Sequence, residues 1–291
     1  VASAELRLIR RRIRSVQSTM KITRAMELIA TARIGKAQQR VVASQPYTAK
    51  MADVIRNIAA ASGGVRHPLF EAREVRTAGI VVVTSDRGLA GAYNHAVIRL
   101  AEHRLLELRA EGRAVRLYVV GKKALSYFRY RKYPIEQSWL RVTDKPAYAD
   151  ARGIANVLLN EYMEEAIDAV DVYTTRYVSA LTQTPVRWPM LPVEPPEVDA
   201  AAPPVAYTFE PSPEEILTRL LPRYLEGTVY GILLEASASE HAARRRAMKA
   251  ATENAEELTR ILTREANQAR QAEITTEISE IVGGAEALAR G

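Results

Sequence analysis

The sequence predicts an α/β protein: a long antiparallel coiled coil formed by its N- and C-terminal helices, with a small Rossmann-like α/β domain between them. Three observations carry this. Leu6, Ile9, Ile13, Val16 and Met20 recur at spacings of 3, 4, 3 and 4, the seam of a coiled coil. Residues 236–282 contain neither Pro nor Gly and carry an alanine-heavy stripe. Between these ends, short β-branched runs alternate with amphipathic stretches, the pattern of βαβ units. The expected division is 1–62 with 212–286 for the coiled coil and 75–205 for the α/β domain.

The first helix continues its apolar stripe through Ile22, Met26 and Ile29, which has stepped around the axis as a stutter would make it. Pro46 either bends one long helix or opens a second one capped by Ser44. The pattern resumes at Met51, Val54, Ile55 and Ile58 and stops at Ser62-Gly63-Gly64. Roughly 55 helical residues span about 80 Å, too long to bury a seam inside one small domain. Strands are expected at 78–84, 115–120, 134–142 (irregular), 169–179 and 185–193, with helices at 92–111, after Gly121 and at 148–166. Pro192–Pro204 reads as a sheet exit or linker. Ser212-Pro213-Glu214-Glu215 opens the last helix with a cap, a first-turn proline and two acids that complement the helix dipole. Its seam is expected to use Ala236, Ala243, Ala247, Ala250, Ala251, Ala255, Leu258, Ile261, Leu262, Ala266, Ala269 and Ala272, ending at Gly283-Gly284. Small seam residues bury little area, so such a helix needs continuous contact with a partner helix.

Composition narrows the function. The 291 residues are 47% apolar, enough for a real core and about two domains. The absence of cysteine excludes disulfides, thiolate metal sites and cysteine nucleophiles. No apolar run approaches the roughly 18 residues of a membrane span, and no signal peptide is expected. The net charge is +7, and residues 1–40 alone hold ten basic and two acidic groups. One helix therefore carries the whole imbalance, and charge of this sign suits nucleic acid, anionic lipid or an acidic protein partner.

Catalytic signatures do not emerge. Ser85-Asp86-Arg87-Gly88-Leu89-Ala90-Gly91 follows a strand and precedes a helix, as a phosphate loop would, but lacks the Gly and Lys spacing of one. The alternative is a turn braced by its Asp and Arg. His67, His95, His103 and His241 are scattered, with no paired spacing for a metal face, and there is no nucleophile elbow. Acidic neighbours such as Glu164-Glu165 and Glu256-Glu257 point to different helix faces. No catalytic residue, cofactor or metal is expected.

Three blocks, in order, carry a resemblance. They are residues 12–26 (Arg-Ile-Arg-Ser-Val-Gln-Ser-Thr-Met-Lys-Ile-Thr-Arg-Ala-Met), residues 85–94 (Ser-Asp-Arg-Gly-Leu-Ala-Gly-Ala-Tyr-Asn), and the C-terminal stretch from Ala238-Ser239-Glu240-His241-Ala242-Ala243-Arg244 to Asn267-Gln268-Ala269-Arg270-Gln271-Ala272 and Ile281-Val282-Gly283-Gly284. The sequence resembles, over essentially its whole length, the γ subunits of F-type (H+-transporting) ATP synthases of bacterial type. The resemblance implies a non-catalytic central rotor shaft inside a hexamer of alternating α and β subunits. It would couple proton flow through the membrane c-subunit ring to ATP synthesis or hydrolysis in that hexamer, with the ε subunit and the c-subunit ring as further partners. It implies a peripheral place at the cytoplasmic face of the plasma membrane and no nucleic-acid partner.

By the same resemblance, Lys21, Arg24 and Met26 match the stretch facing acidic levers of the β subunits. Arg244 matches a coupling arginine, Arg270 and Gln271 a pair that binds a loop of an empty catalytic subunit, and Thr275 lies one turn beyond. Tyr207 and Glu210 match loosely a region touching the c ring or ε. From periodicity alone, Met26 reads as core packing and Arg270 as a solvated charge. Ala90 and Ala266 depart from the commonest family residues, Cys and an aromatic. The cysteine-bearing insertion of the plastid branch is missing, so thiol control is not expected. Two other readings compete: a nucleic-acid-binding coiled coil using the N-terminal arginines, which lacks aromatics in residues 1–40 to stack on bases, and a nucleotide enzyme with helical extensions.

Overall fold

In the computed structural model the described residues are 4–61, 67–194, 210 and 212–289. Tyr207 and most of the proline-rich stretch after Val193 lie outside them. Among the described residues ten elements follow one another: α1 (Ala4–Ala61), β1 (Thr77–Val83), α2 (Tyr93–Ala110), β2 (Ala114–Val120), α3 (Lys122–Tyr130), β3 (Gln137–Trp139), α4 (Tyr148–Met163), β4 (Ala169–Tyr177), β5 (Gln183–Leu191) and α5 (Pro213–Ala289). They form two compact units, one of residues 30–244 and one of residues up to 29 together with those from 245 onward. Both α1 and α5 contribute to each.

The larger unit is built on a five-stranded sheet of order β3-β2-β1-β4-β5. The first four strands are parallel, and β5 returns antiparallel along β4. Strand alternation sorts the side chains to two faces. Val81, Val83, Tyr118, Val120, Val170 and Val172 pack with α4 and with residues 55–58 and 217–236 of the end helices. Ala78, Ile80, Val82, Leu117, Val119 and Tyr173 pack under α2 and α3. Covering on both faces is why β1 reads as an unbroken Ile-Val-Val-Val run. In this unit α1 and α5 run antiparallel, with Ala37 and Val41 against Leu234 and Ala238. Gly227 lies beside Tyr47 and Thr48. Pro46 sits within α1, so one helix passes through it. Ser44 is no cap there, since its hydroxyl donates back to the Val41 carbonyl at 2.8 Å.

The smaller unit is an antiparallel helix pair. Residue 23 meets residue 252, while Glu5 and Ile9 share a groove with Glu265, Ala269 and Ala272. Its seams correct two expectations. Ile22 and Ile29 are 58% and 55% exposed, and the burial of α1 passes instead through Thr23 and on to Ala30 in the larger unit. There is no stutter: a buried threonine holds the seam position. On α5 Met248, Thr252, Ala255, Thr259, Leu262, Ala266, Ala269 and Glu273 are buried or half-buried in 4, 3 alternation, with the expected Ala247 and Ala251 half-buried beside them. Ala250, Leu258, Ile261 and Ala272 lie off it, exposed. The threonines are tolerated because their hydroxyls are satisfied. Thr23 and Thr252 are 2.7 Å apart, and each lies within bonding distance of its own helix, at the Met20 and Met248 carbonyls. Gly283-Gly284 do not end α5, which runs to Ala289. A glycine weakens a helix interior by only about 1 kcal/mol and stops it only when the chain turns left-handed there.

Candidate functional site

The crevice beyond the carboxyl ends of β1 and β4, where the strand order reverses, is where doubly wound sheets take ligands. Here the chain's own last helix approaches it. Ser85–Gly91 leaves β1 and is held on both sides. Asp86 accepts from the Lys122 N–H at 3.0 Å, and the N–H groups of Lys123 and Ala124 bond Ser85 and Thr84. The first turn of α3, which a phosphate would need, is thus bonded to the loop itself, as in the braced-turn reading. Gly121 is required for this closeness: its φ is +96°, and a Cβ there would lie 2.1 Å from the Thr84 carbonyl oxygen.

The other side of the loop meets α5. The Arg244 guanidinium, 6% exposed, donates to the Gly88 carbonyl through Nε (3.3 Å) and Nη2 (3.2 Å), and Nη2 also donates to Glu240 Oε1 at 2.7 Å. Beside it, Tyr93 donates to the Ala236 carbonyl at 3.0 Å and packs with Ala90 and Ala243. Asp144, from the segment before α4, pairs with Arg33 of α1 at 2.7 Å and with Arg87 of the loop at 3.3 Å. Two sequence blocks about 150 residues apart therefore form one cluster, with Asp144 and Arg33 joining them. The residue missed by sequence reading is Asp144. No spacing announces it, because it is brought in from a separate loop.

Burial sets the electrostatics. His241 is lowered to about 4, first by desolvation and then by the neighbouring Arg244 charge, so its ring is neutral near pH 7. Burial raises the Glu240 carboxyl, against the pull of Arg244, and pushes the Tyr93 phenol well up. Donor atoms of Asp144, Glu240 and His241 lie within 4.8 Å of one another. Those two carboxylates already face three guanidinium groups, Arg33, Arg87 and Arg244. A divalent cation would have to enter a site whose negative charge is compensated, so the cluster is better suited to holding segments together than to holding a metal.

The other positions singled out in the sequence fall on the smaller unit. Lys21, Arg24, Arg270, Gln271 and Thr275 are exposed, and Met26 is half-buried. Arg24 comes 4.0 Å from Glu256, and Thr275 donates to the Gln271 carbonyl at 2.9 Å. Arg244 is the exception, buried in the larger unit. Glu210 is exposed. None of the described helices is long and apolar enough to cross a membrane.

A family model described as ATP synthase matches residues 5–288. The ATP synthase gamma chain of Acidothermus cellulolyticus is 51% identical, covering 98% of this chain and 97% of its own. That of Mycolicibacterium smegmatis is 47% identical over 99% of both. Among solved structures, a chain of the Euglena gracilis mitochondrial ATP synthase (OSCP/F1/c-ring) superposes with a TM-score of 0.65 at 19% identity, covering 98% of this chain and 94% of that one. One from the central stalk and c ring of the Tetrahymena thermophila enzyme gives 0.59 at 22% identity, covering 79% and 99%.

Proposed function

The chain belongs to the family of ATP synthase gamma chains, and on that premise we propose how it works. It is a non-catalytic central-stalk subunit, and its helix pair, residues 1–62 with 212–286, turns within a hexamer of α and β subunits. The α/β domain, residues 75–205, faces the ε subunit and the c ring. Proton flow through the ring drives the turn during synthesis, and ATP hydrolysis drives it in reverse. The complex sits at the cytoplasmic face of the plasma membrane, and this chain is peripheral to the bilayer.

A rotor acts on its neighbours only through contacts that differ from one orientation to the next. The side chains suited to that are Lys21, Arg24, Met26, Arg270, Gln271 and Thr275, and the exposure of all but the half-buried Met26 supports the reading. Lys21 and Arg24 suit acidic levers on β. Gln271 and Arg270 suit a polar loop. The single observation that carries the proposal is 51% identity to a gamma chain over nearly the whole of both sequences. Native mass spectrometry of a mild extract tests it: the chain is expected in one assembly with α and β subunits, and the purified chain is expected to hydrolyse no nucleotide. Finding it only outside such an assembly overturns the reading.

A further inference from the structure

We infer that Glu240 and Arg244 are positioning residues, a buried latch that fixes the turn at Gly88 to α5 and resists rolling of that helix against the α/β domain, so that Arg244 acts inside the chain and not as a contact for a neighbouring subunit. The inference rests on the shaft reading. Apolar packing, such as Ala90, Tyr93 and Ala243 provide here, fixes orientation only through shape, because the hydrophobic effect is itself non-directional. Charge-assisted hydrogen bonds add a fixed direction. The guanidinium fork supplies them, with two donors on the Gly88 carbonyl and one on Glu240. Glu240 is 1% exposed and lies one helical turn before Arg244, so it holds the fork from behind. Arg244, Glu240 and Gly88 all belong to the larger unit, so the latch grips α5 within it. Tyr93, bonded to the Ala236 carbonyl, grips it two turns earlier.

The test uses Glu240→Gln, Arg244→Lys, Arg244→Gln and the double variant Glu240→Gln/Arg244→Gln, with Glu240→Asp as a milder change that keeps the charge. In the purified full chain, amide exchange at the bonded N–H groups of the loop, those of Ser85, Asp86 and Tyr93, is expected to accelerate about tenfold or more in each single variant. The double variant is expected to be no worse than Arg244→Gln alone, since the two act as one device. In the assembled complex, protons pumped per ATP hydrolysed are expected to fall in Glu240→Gln as they do in Arg244→Gln. An arginine that reaches for a neighbour's carboxylate predicts the opposite. Removing Glu240 would then free it, leaving coupling intact and loop exchange unchanged, and that result overturns the latch. If Glu240→Gln does not assemble, Glu240→Asp decides by the same exchange measurement. Failure of the shaft reading looks different, because unmodified chain would then not support coupled pumping at all.

Discussion

Buried His241 gives the site a pH signature. In the folded chain its ring takes a proton near pH 4, against an ordinary value of 6.5. Between those values the unfolded chain holds more protons, so stability is complete above about 6.5 and is lost as pH falls toward 4. Glu240, raised by burial, works the other way, since its carboxyl protonates earlier when folded. Comparison with His241→Gln separates the two. Denaturation midpoints measured from pH 7 to pH 4 are expected to show the unmodified chain losing about 3 kcal/mol relative to that variant. A constant difference across the range would contradict it. Gly121→Ala is expected to cost about 3 kcal/mol or more, because the left-handed backbone and the Thr84 carbonyl both refuse a Cβ. At the Thr23–Thr252 contact, replacing both residues by valine is expected to cost less than the two single changes added together, as no hydroxyl is left without its partner. The sequence announced neither feature in full. A threonine at a seam position looks polar until its partner 229 residues away is known, and Asp144 lies in a loop with no motif of its own.

Elements were far more legible than residues. β1 and β2 are covered on both faces, and that burial is what makes their sequences continuous apolar runs. The last helix announced its start, and Ser212 does accept the Glu215 N–H at 3.2 Å. The end expected at Gly283-Gly284 is not there, because a Gly-Gly pair signals a stop only when tertiary structure turns the chain, and α5 continues to Ala289. The expected stutter is absent from the described helix for the same kind of reason. Ile22 and Ile29 are apolar but exposed, so their side chains describe a surface and not the seam. Helix α4 offers a direct check of propensity: Gly153 is exposed, and a methyl group added at its Cα would meet nothing within 4 Å. Gly153→Ala is expected to stabilise the chain by about 0.5–1 kcal/mol in chemical denaturation, and a loss of stability would mean the helix needs flexibility there.

For the whole molecule, the charge imbalance first left several kinds of partner open. Two sets among the N-terminal cations differ. Arg33 and Arg40 are spent inside the larger unit, on Asp144 and on the Pro146 carbonyl with Tyr230, while Arg10, Arg11, Arg12 and Arg14 remain exposed on the helix pair. The chain belongs to the family of ATP synthase gamma chains, and the proposed function has it turn within that assembly. Because the chain has no cysteine, Tyr130→Cys, at a side chain 84% exposed on α3, gives a single attachment point for a bead. With the α/β hexamer fixed to a surface and ATP added, the account predicts that the bead turns continuously in one direction. A bead that stays still while the same complexes hydrolyse ATP would contradict it.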